Sequence, residues 1–270
     1  MGNPPVHKAR KRFGQHFLHD KNIIHKLLRA VNPQTTDTLI EIGPGQGALT
    51  FPLLEQCKKL TAIELDRDLI PILKRGAEGL GELNLINSDI LKIDMAALSL
   101  TPPFRLVGNL PYNISTPLMF HMLEYNELIK DMHFMVQKEV AERIIATSDK
   151  NTSSSKHYGR LSVMMQYFCR CDYLFDVPPG CFSPPPKVDS SIIRLIPHSK
   201  PPVQVDDIEM LELVVKTAFN QRRKTISNSL KKLLSRDQIH SLDINPASRA
   251  ENLSLSDFAK LSNLSSELSS

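Results

Sequence analysis

Thr38-Leu39-Ile40-Glu41-Ile42-Gly43-Pro44-Gly45-Gln46-Gly47-Ala48 is the stretch that decides the fold. Its first half is an apolar run ended by a glycine, the pattern of a buried strand. Its second half is a glycine-rich turn, and from Ala48 to Cys57 the apolar residues take helical spacing. Glycines at such a turn let a ligand approach the backbone where any side chain would obstruct it. The pattern then recurs. Leu60–Leu65 reads as a strand before a helix at Asp68–Lys74, and Leu83–Asn87 and Phe104–Val107 read as further strands. A helix through Pro117–Glu124 leads into a strand at Met132–Val136. Strands alternating with helices predict an α/β fold, a mostly parallel sheet covered on both faces. Sheets of that kind bind ligands at the carboxyl ends of their strands, and Gly43, Glu64, Asp89 and Asn109 all fall at such ends.

Residues Thr147–Lys156 are polar and serine-rich, which predicts a surface loop. Tyr173–Val177 and Ser191–Leu195 read as two more strands, with the prolines 178–179 and 184–186 between them. Pro197–Pro202 has the composition of a linker, and from Asp206 onward the pattern is helical. The expected division is therefore a large α/β domain at 1–198 and a small helical domain at 203–270.

The 270 residues suffice for one large and one small domain, and 41% apolar with 23% charged residues is ordinary for a globular protein. No apolar run approaches the roughly 18 residues of a membrane helix. The basic N-terminus (Lys8, Arg10, Lys11, Arg12) runs into Phe13-Gly14-Gln15-His16 instead of an apolar stretch, so no signal peptide is expected and the location is cytoplasmic. Cys57, Cys169, Cys171 and Cys181 are too few and too scattered for a disulfide framework, and they lack zinc spacing, so no metal is expected. Net charge is only +4, but Leu213–Arg236 holds no acidic residue while carrying Lys216, Arg222, Arg223, Lys224, Lys231, Lys232 and Arg236. A one-signed run of that kind fits a polyanion partner, against the alternative of a solvated helix face.

Two cofactors compete for the glycine turn. Gly43-x-Gly45-x-x-Ala48 with Glu64 about 20 residues on satisfies the dinucleotide fingerprint. Glu64 can accept hydrogen bonds from ribose hydroxyls in either case. Asp89, ending the third strand, can accept from an adenine amine. Asn109-Leu110-Pro111-Tyr112, ending the fourth, supplies an amide oxygen, a carbonyl held by a rigid proline turn, and a ring. That set grips the exocyclic amine of a flat heteroaromatic base. A hydride-transfer enzyme needs a general acid or base there instead, so S-adenosylmethionine is favoured.

Together these residues resemble the bacterial small-subunit ribosomal RNA adenine dimethyltransferases, the kasugamycin-resistance family. Arg10–Leu18, the glycine turn, Glu64, Asp89 and Asn109–Tyr112 look like its motifs in order. Tyr158–Val163, Phe182–Ser190, Phe219–Thr225 and Arg249–Asn252 look like its later ones. The resemblance implies a Rossmann-like class I S-adenosylmethionine-dependent methyltransferase domain with a small all-α C-terminal domain. It implies dimethylation of N6 on two adjacent adenosines in a hairpin loop near the 3' end of 16S rRNA, within the small ribosomal subunit or its precursor. A monomer is implied as well. Cofactor contacts are expected at His16, Leu18, Gly43, Gly45, Glu64, Asp89 and Asn109. The reaction is expected at Asn109, Leu110 and Tyr112, with Phe182 on the second face of the base, and RNA contacts at Arg222, Arg223 and Lys224. Alternatives on the same fold are a 23S rRNA adenine methyltransferase of the macrolide-resistance type and a non-enzymatic ribosome-assembly or transcription factor.

Overall fold

A computed structural model of the chain describes residues 15–149, 151, 155–221 and 223–269. Arg10–Gly14, Lys8 and Arg222 lie outside the described residues. The chain begins with a short strand β1 (Phe17–Leu18) and helix α1 (Lys21–Val31), which the sequence pattern did not reveal. Asp20 caps α1 by accepting from the Asn22 and Ile23 amides. Buried Leu27, Leu28 and Val31 supply the inward face at i, i+1 and i+4, and Asn32 closes the helix in the left-handed region.

Then follow β2 (Thr38–Ile42), α2 (Thr50–Cys57), β3 (Lys59–Glu64), α3 (Ile70–Gly76), β4 (Glu82–Asn87), β5 (Phe104–Asn109), α4 (Ser115–Leu123) and β6 (Ile129–Gln137). The remaining elements are α5 (Lys138–Ile145), α6 (Arg160–Phe168), β7 (Cys169–Val177), β8 (Phe182–Ser183) and β9 (Ser190–Pro197). The helices α7 (Ile208–Phe219), α8 (Ile226–Ser229), α9 (Arg236–Ser241) and α10 (Leu255–Glu267) complete the chain.

Seven strands form one sheet in the order β4-β3-β2-β5-β6-β9-β7, and β1 pairs with β8 in a separate two-stranded ribbon. The pairs β3·β4, β2·β3, β2·β5 and β5·β6 are parallel, and β9 runs antiparallel to β6. The order reverses between β2 and β5, so the crevice for a ligand opens at their carboxyl ends. At the opposite end, Arg105 joins β2, β5, β6 and α1. Its guanidinium donates to Asp37 at 2.6 Å, to Asp131 at 3.0 Å and to the Val31 carbonyl at 2.6 Å, with the Arg105 side chain 8% exposed.

By packing, the chain divides into two compact units, the described residues up to Ala141 with Asp172–Pro197, and Glu142–Cys171 with His198–Ser270. The segment 142–171 thus groups with the helical unit, because its helix α6 packs on α7 and α10 within that unit. In that unit α7 buries Leu211, Val214, Val215 and Ala218, a stripe at i, i+3, i+4 and i+7. Phe219 packs against Tyr158 and Phe258 with ring centroids 6.1 and 5.6 Å apart. No helix among the described residues is long and apolar enough to cross a membrane.

Candidate active site

The carboxyl ends of β2, β3, β4 and β5 surround one cavity of about 350 Å³. Its floor is the glycine turn. Gly43 and Gly45 hold φ of +70° and +59°, a region that side chains disfavour. Gly43 donates its amide to the Ile63 carbonyl at 2.9 Å, and a Cβ on Gly45 would lie 3.1 Å from the Phe17 ring. Gly108 matters for a different reason. A Cβ there would collide with the Ile42 carbonyl, so only glycine lets β5 close on β2 and bring Asn109 up to the turn.

Glu64 ends β3 and is 6% exposed. Its Oε2 accepts from the Gly45 amide at 3.1 Å and its Oε1 from the Asp66 amide at 2.8 Å. Burial pushes its carboxyl above the ordinary range, against the pull of those two bonds. Each oxygen keeps lone-pair capacity for a hydroxyl. Asp89 follows β4 and caps a short helical turn by accepting from the Leu91 amide at 3.1 Å. Both carboxylates line the cavity.

At the end of β5, Asn109 donates Nδ2 to the His16 carbonyl at 2.9 Å. With the NH2 committed there, Oδ1 remains as the acceptor. The Leu110 amide is bound to the Met135 carbonyl at 3.0 Å, which fixes the turn that carries the Leu110 carbonyl. Tyr112 shares a 2.7 Å hydrogen bond between its hydroxyl and Ser190 Oγ. The ring of His16 stacks on Tyr112 with centroids 5.5 Å apart and planes at 28°, and His16 Nδ1 donates to the Pro184 carbonyl at 2.7 Å.

Glu41, inside β2, is the least expected member. It is 1% exposed, it lines the cavity, and its Oε2 makes no hydrogen bond among the described residues. Thr50 Oγ1 lies close by, outside regular hydrogen-bond geometry among the described residues. Burial pushes the Glu41 carboxyl up to about 8, with the charge of Glu64 adding to the effect and Thr50 opposing it.

The sequence signature of the ribosomal RNA adenine dimethylases matches residues 6–267. The chain belongs to the ribosomal RNA adenine dimethylase family. Among relatives, the ribosomal RNA small subunit methyltransferase A of Pseudomonas aeruginosa is 52% identical over 97% of this chain and 96% of its own length. The protein of the same name from Acinetobacter baylyi is 51% identical over 95% of this chain and 92% of its own. Two solved structures share the architecture. A dimethyladenosine transferase from Plasmodium falciparum superposes with a TM-score of 0.76 at 28% identity, covering 91% of this chain and 96% of that one. The 23S rRNA methyltransferase ErmE does so with 0.72 at 25% identity, covering 91% and 98%.

The cofactor of this dimethylase family is S-adenosylmethionine, and the cavity fits it. Three carboxyls (Glu41, Glu64, Asp89) line it and no lysine or arginine does among the described residues. A dinucleotide's pyrophosphate would meet no cationic side chain there, only the acids Glu64 and Asp89 and the protonated Glu41. A sulfonium and an ammonium suit those acids, and the unsatisfied Glu41 Oε2 is a buried acceptor in want of a donor. Among the described residues no group of three or more His, Cys, Asp or Glu is placed to hold a metal ion.

His16, Leu18, Gly43, Gly45, Glu64, Asp89, Asn109, Leu110 and Tyr112 all line this one cavity. Phe182 does not. It is 2% exposed, pairs with Leu18 across the β1·β8 ribbon and packs into the core cluster. In this arrangement the ring of Phe182 faces the core beside Leu18, not the cavity. Arg223 and Lys224 are exposed in the helical unit, and Arg222 is outside the described residues. Glu41 and Ser190 were not picked out by sequence reasoning. A carboxylate inside the apolar run Leu39–Ile42 was the available signal, since charges are almost never buried unpaired. Nothing local marked Ser190 as the partner of a tyrosine 78 positions away.

Proposed function

We propose that this chain transfers methyl groups from S-adenosylmethionine to N6 of two adjacent adenosines in a hairpin loop near the 3' end of 16S rRNA, two per adenosine, during small-subunit biogenesis. The observation that carries this reading is a cavity lined by three carboxyls, with no lysine or arginine among its described residues, opening beside an amine clamp. The cofactor supplies a methyl group on a cationic sulfur. The relatives' name, ribosomal RNA small subunit methyltransferase A, supports the choice of subunit.

The chain's own part is to prepare the nitrogen. An adenine N6 is a weak nucleophile because its lone pair is delocalised into the ring. Asn109 Oδ1 and the Leu110 carbonyl accept from its two N–H groups out of the ring plane. They thereby favour a pyramidal nitrogen with the lone pair freed. Positive charge grows on that nitrogen during transfer, so these fixed dipoles are worth most in the transition state. The proton then leaves to water, and no strong base is required. Tyr112, its hydroxyl held by Ser190, offers the base the ring face that His16 leaves. A base inside a duplex stack cannot reach such a pocket, so the substrate nucleotide is in a loop or flipped.

Lys216, Arg223, Lys224, Lys231, Lys232 and Arg236 are exposed in the helical unit, which supports that unit as the RNA-contacting one. We take the functional division as a catalytic part within 1–198 and an RNA-contacting part within 203–270, acting as a monomer in the cytoplasm without a metal. The test is tritiated methyl transfer to unmethylated small versus large subunits, followed by nucleoside analysis. N6,N6-dimethyladenosine in the small subunit is expected. Label confined to the large subunit would favour the macrolide-resistance activity, and no label at all a non-enzymatic role.

A further inference from the structure

We infer that a second cavity, beside the amine clamp, holds the base of the nucleotide adjacent to the target adenosine. This rests on the proposed function and adds a substrate subsite to it. The cavity, about 410 Å³, lies where β6 ends and β9 begins. Gln137, the last residue of β6, is the cross-strand partner of Ser190, the first of β9. Ser190 is the residue whose Oγ fixes the Tyr112 hydroxyl. Gln137 on one strand and Asp189 on the other line the new cavity, and the Lys138 amide donates to the Asp189 carbonyl at 2.9 Å. The cavity therefore starts one residue from the pair that anchors the clamp's ring. A loop that delivers one base to Tyr112 brings its neighbour past this opening.

The lining says what class of group fits. Two cations and two carboxylates face the space: Lys138 and Lys187 against Glu139 and Asp189. Lys138 is already committed, its Nζ donating to Asp176 Oδ2 at 2.7 Å, while Asp176 also accepts from Ser191 at 2.7 Å and from Tyr173. Lys187 alone does not outweigh two carboxylates, so a phosphate is disfavoured here. A nucleobase is not. Its edge presents donors and acceptors together, which the Gln137 amide, Lys187 and the carboxylates can match, and its faces are apolar. Val188, 46% exposed between Lys187 and Asp189, and Pro179 supply apolar surface for a face. Unstacked bases in RNA loops are recognised by that combination of face packing and edge hydrogen bonds. For two adjacent target adenosines, this cavity holds one while the other occupies the clamp.

The experiment compares two substrates and two proteins. Unmethylated small subunits are reconstituted with intact 16S rRNA, or with rRNA lacking the base of the nucleotide next to the methylated adenosine. Methyl transfer is measured for wild type and for Gln137→Ala/Val188→Ser, with Lys187→Ala as a single exposed substitution that leaves the fold alone. Removing the neighbour base should lower wild-type kcat/KM about tenfold, the scale of one base's stacking and edge interactions. The variants should show that loss on the intact substrate already and lose nothing further on the abasic one, with S-adenosylmethionine affinity by calorimetry unchanged. Equal loss for wild type and variants on removing the base, which is additivity, overturns the subsite, as do variants that match wild type on the intact substrate. If wild type labels no small subunit at all, the proposed function fails instead, and that outcome is distinct from both.

Discussion

Replacing Glu41 by glutamine should stabilise the folded protein increasingly as pH rises, because it removes one proton that folding holds in place. The ordinary glutamate value is 4.5 and burial lifts Glu41 to about 8. Between those values the folded chain keeps a proton that the unfolded chain has released. Stability is thus fully present below pH 4.5 and falls as pH climbs toward 8, by about 1.4 kcal/mol per pH unit. Over the whole interval from 4.5 to 8 the loss reaches about 5 kcal/mol at most. Glutamine fills the same space and does not titrate. Urea unfolding without cofactor at about pH 6, 7 and 8 measures both proteins, and the advantage of Glu41→Gln should widen by about 2 kcal/mol across that range. Parallel pH curves for the two proteins would refute the claim that Glu41 is buried and protonated. A cationic cofactor in the same cavity favours the ionised carboxylate. Calorimetry near neutral pH in buffers of different ionisation enthalpy should therefore show proton release on S-adenosylmethionine binding by the wild type and none by Glu41→Gln.

Asn109→Ala should lower turnover on the order of 10²–10³, the usual cost of one preorganised polar group, while calorimetric cofactor affinity changes less; wild-type turnover in it would end the clamp mechanism. Arg105→Met takes from the buried Asp37 and Asp131 the guanidinium they share, leaving only Lys130 beside Asp37 and His133 beside Asp131, and should cost about 3 kcal/mol in chemical unfolding. Burial alone would raise Asp37, but Arg105, helped by the Gln34 amide and the charge of Lys130, outweighs it and holds it below the ordinary value. Wild-type stability should accordingly drop as pH falls through the carboxylate range, and Arg105→Met should lose part of that dependence. Replacing Arg222, Arg223 and Lys224 together by alanine should weaken RNA binding and reduce the slope of log affinity against log salt by about one for each phosphate no longer neutralised. An unchanged slope would make the basic run a solvated face.

The strands of the parallel sheet were legible because each is a short apolar run closed by a glycine or polar turn, a signal carried within a few residues. The same locality hid others. β1 and β8 are two residues each, too short to show a period, and they exist because the segments 17–18 and 182–183 meet. Segment 142–171 read as a continuation of the first domain, since nothing in its composition says which unit its helix α6 packs with. Phe182 reads the same in sequence whether its ring meets a substrate or Leu18.

By itself the sequence determined the fold class, the Asn109–Tyr112 turn at a strand end and the acids at strand ends, because these depend on residue type and on spacing along one element. Only the tertiary structure decided how the side chains of that turn are held. The His16 carbonyl takes the Asn109 amide nitrogen from 93 positions away, and Ser190 takes the Tyr112 hydroxyl from 78. It also decided that Glu41 is buried at the edge of the cavity without a hydrogen-bond partner for Oε2 among the described residues. Burial and hydrogen-bond partnership across such separations are products of packing, and no local pattern in the chain encodes which groups will meet.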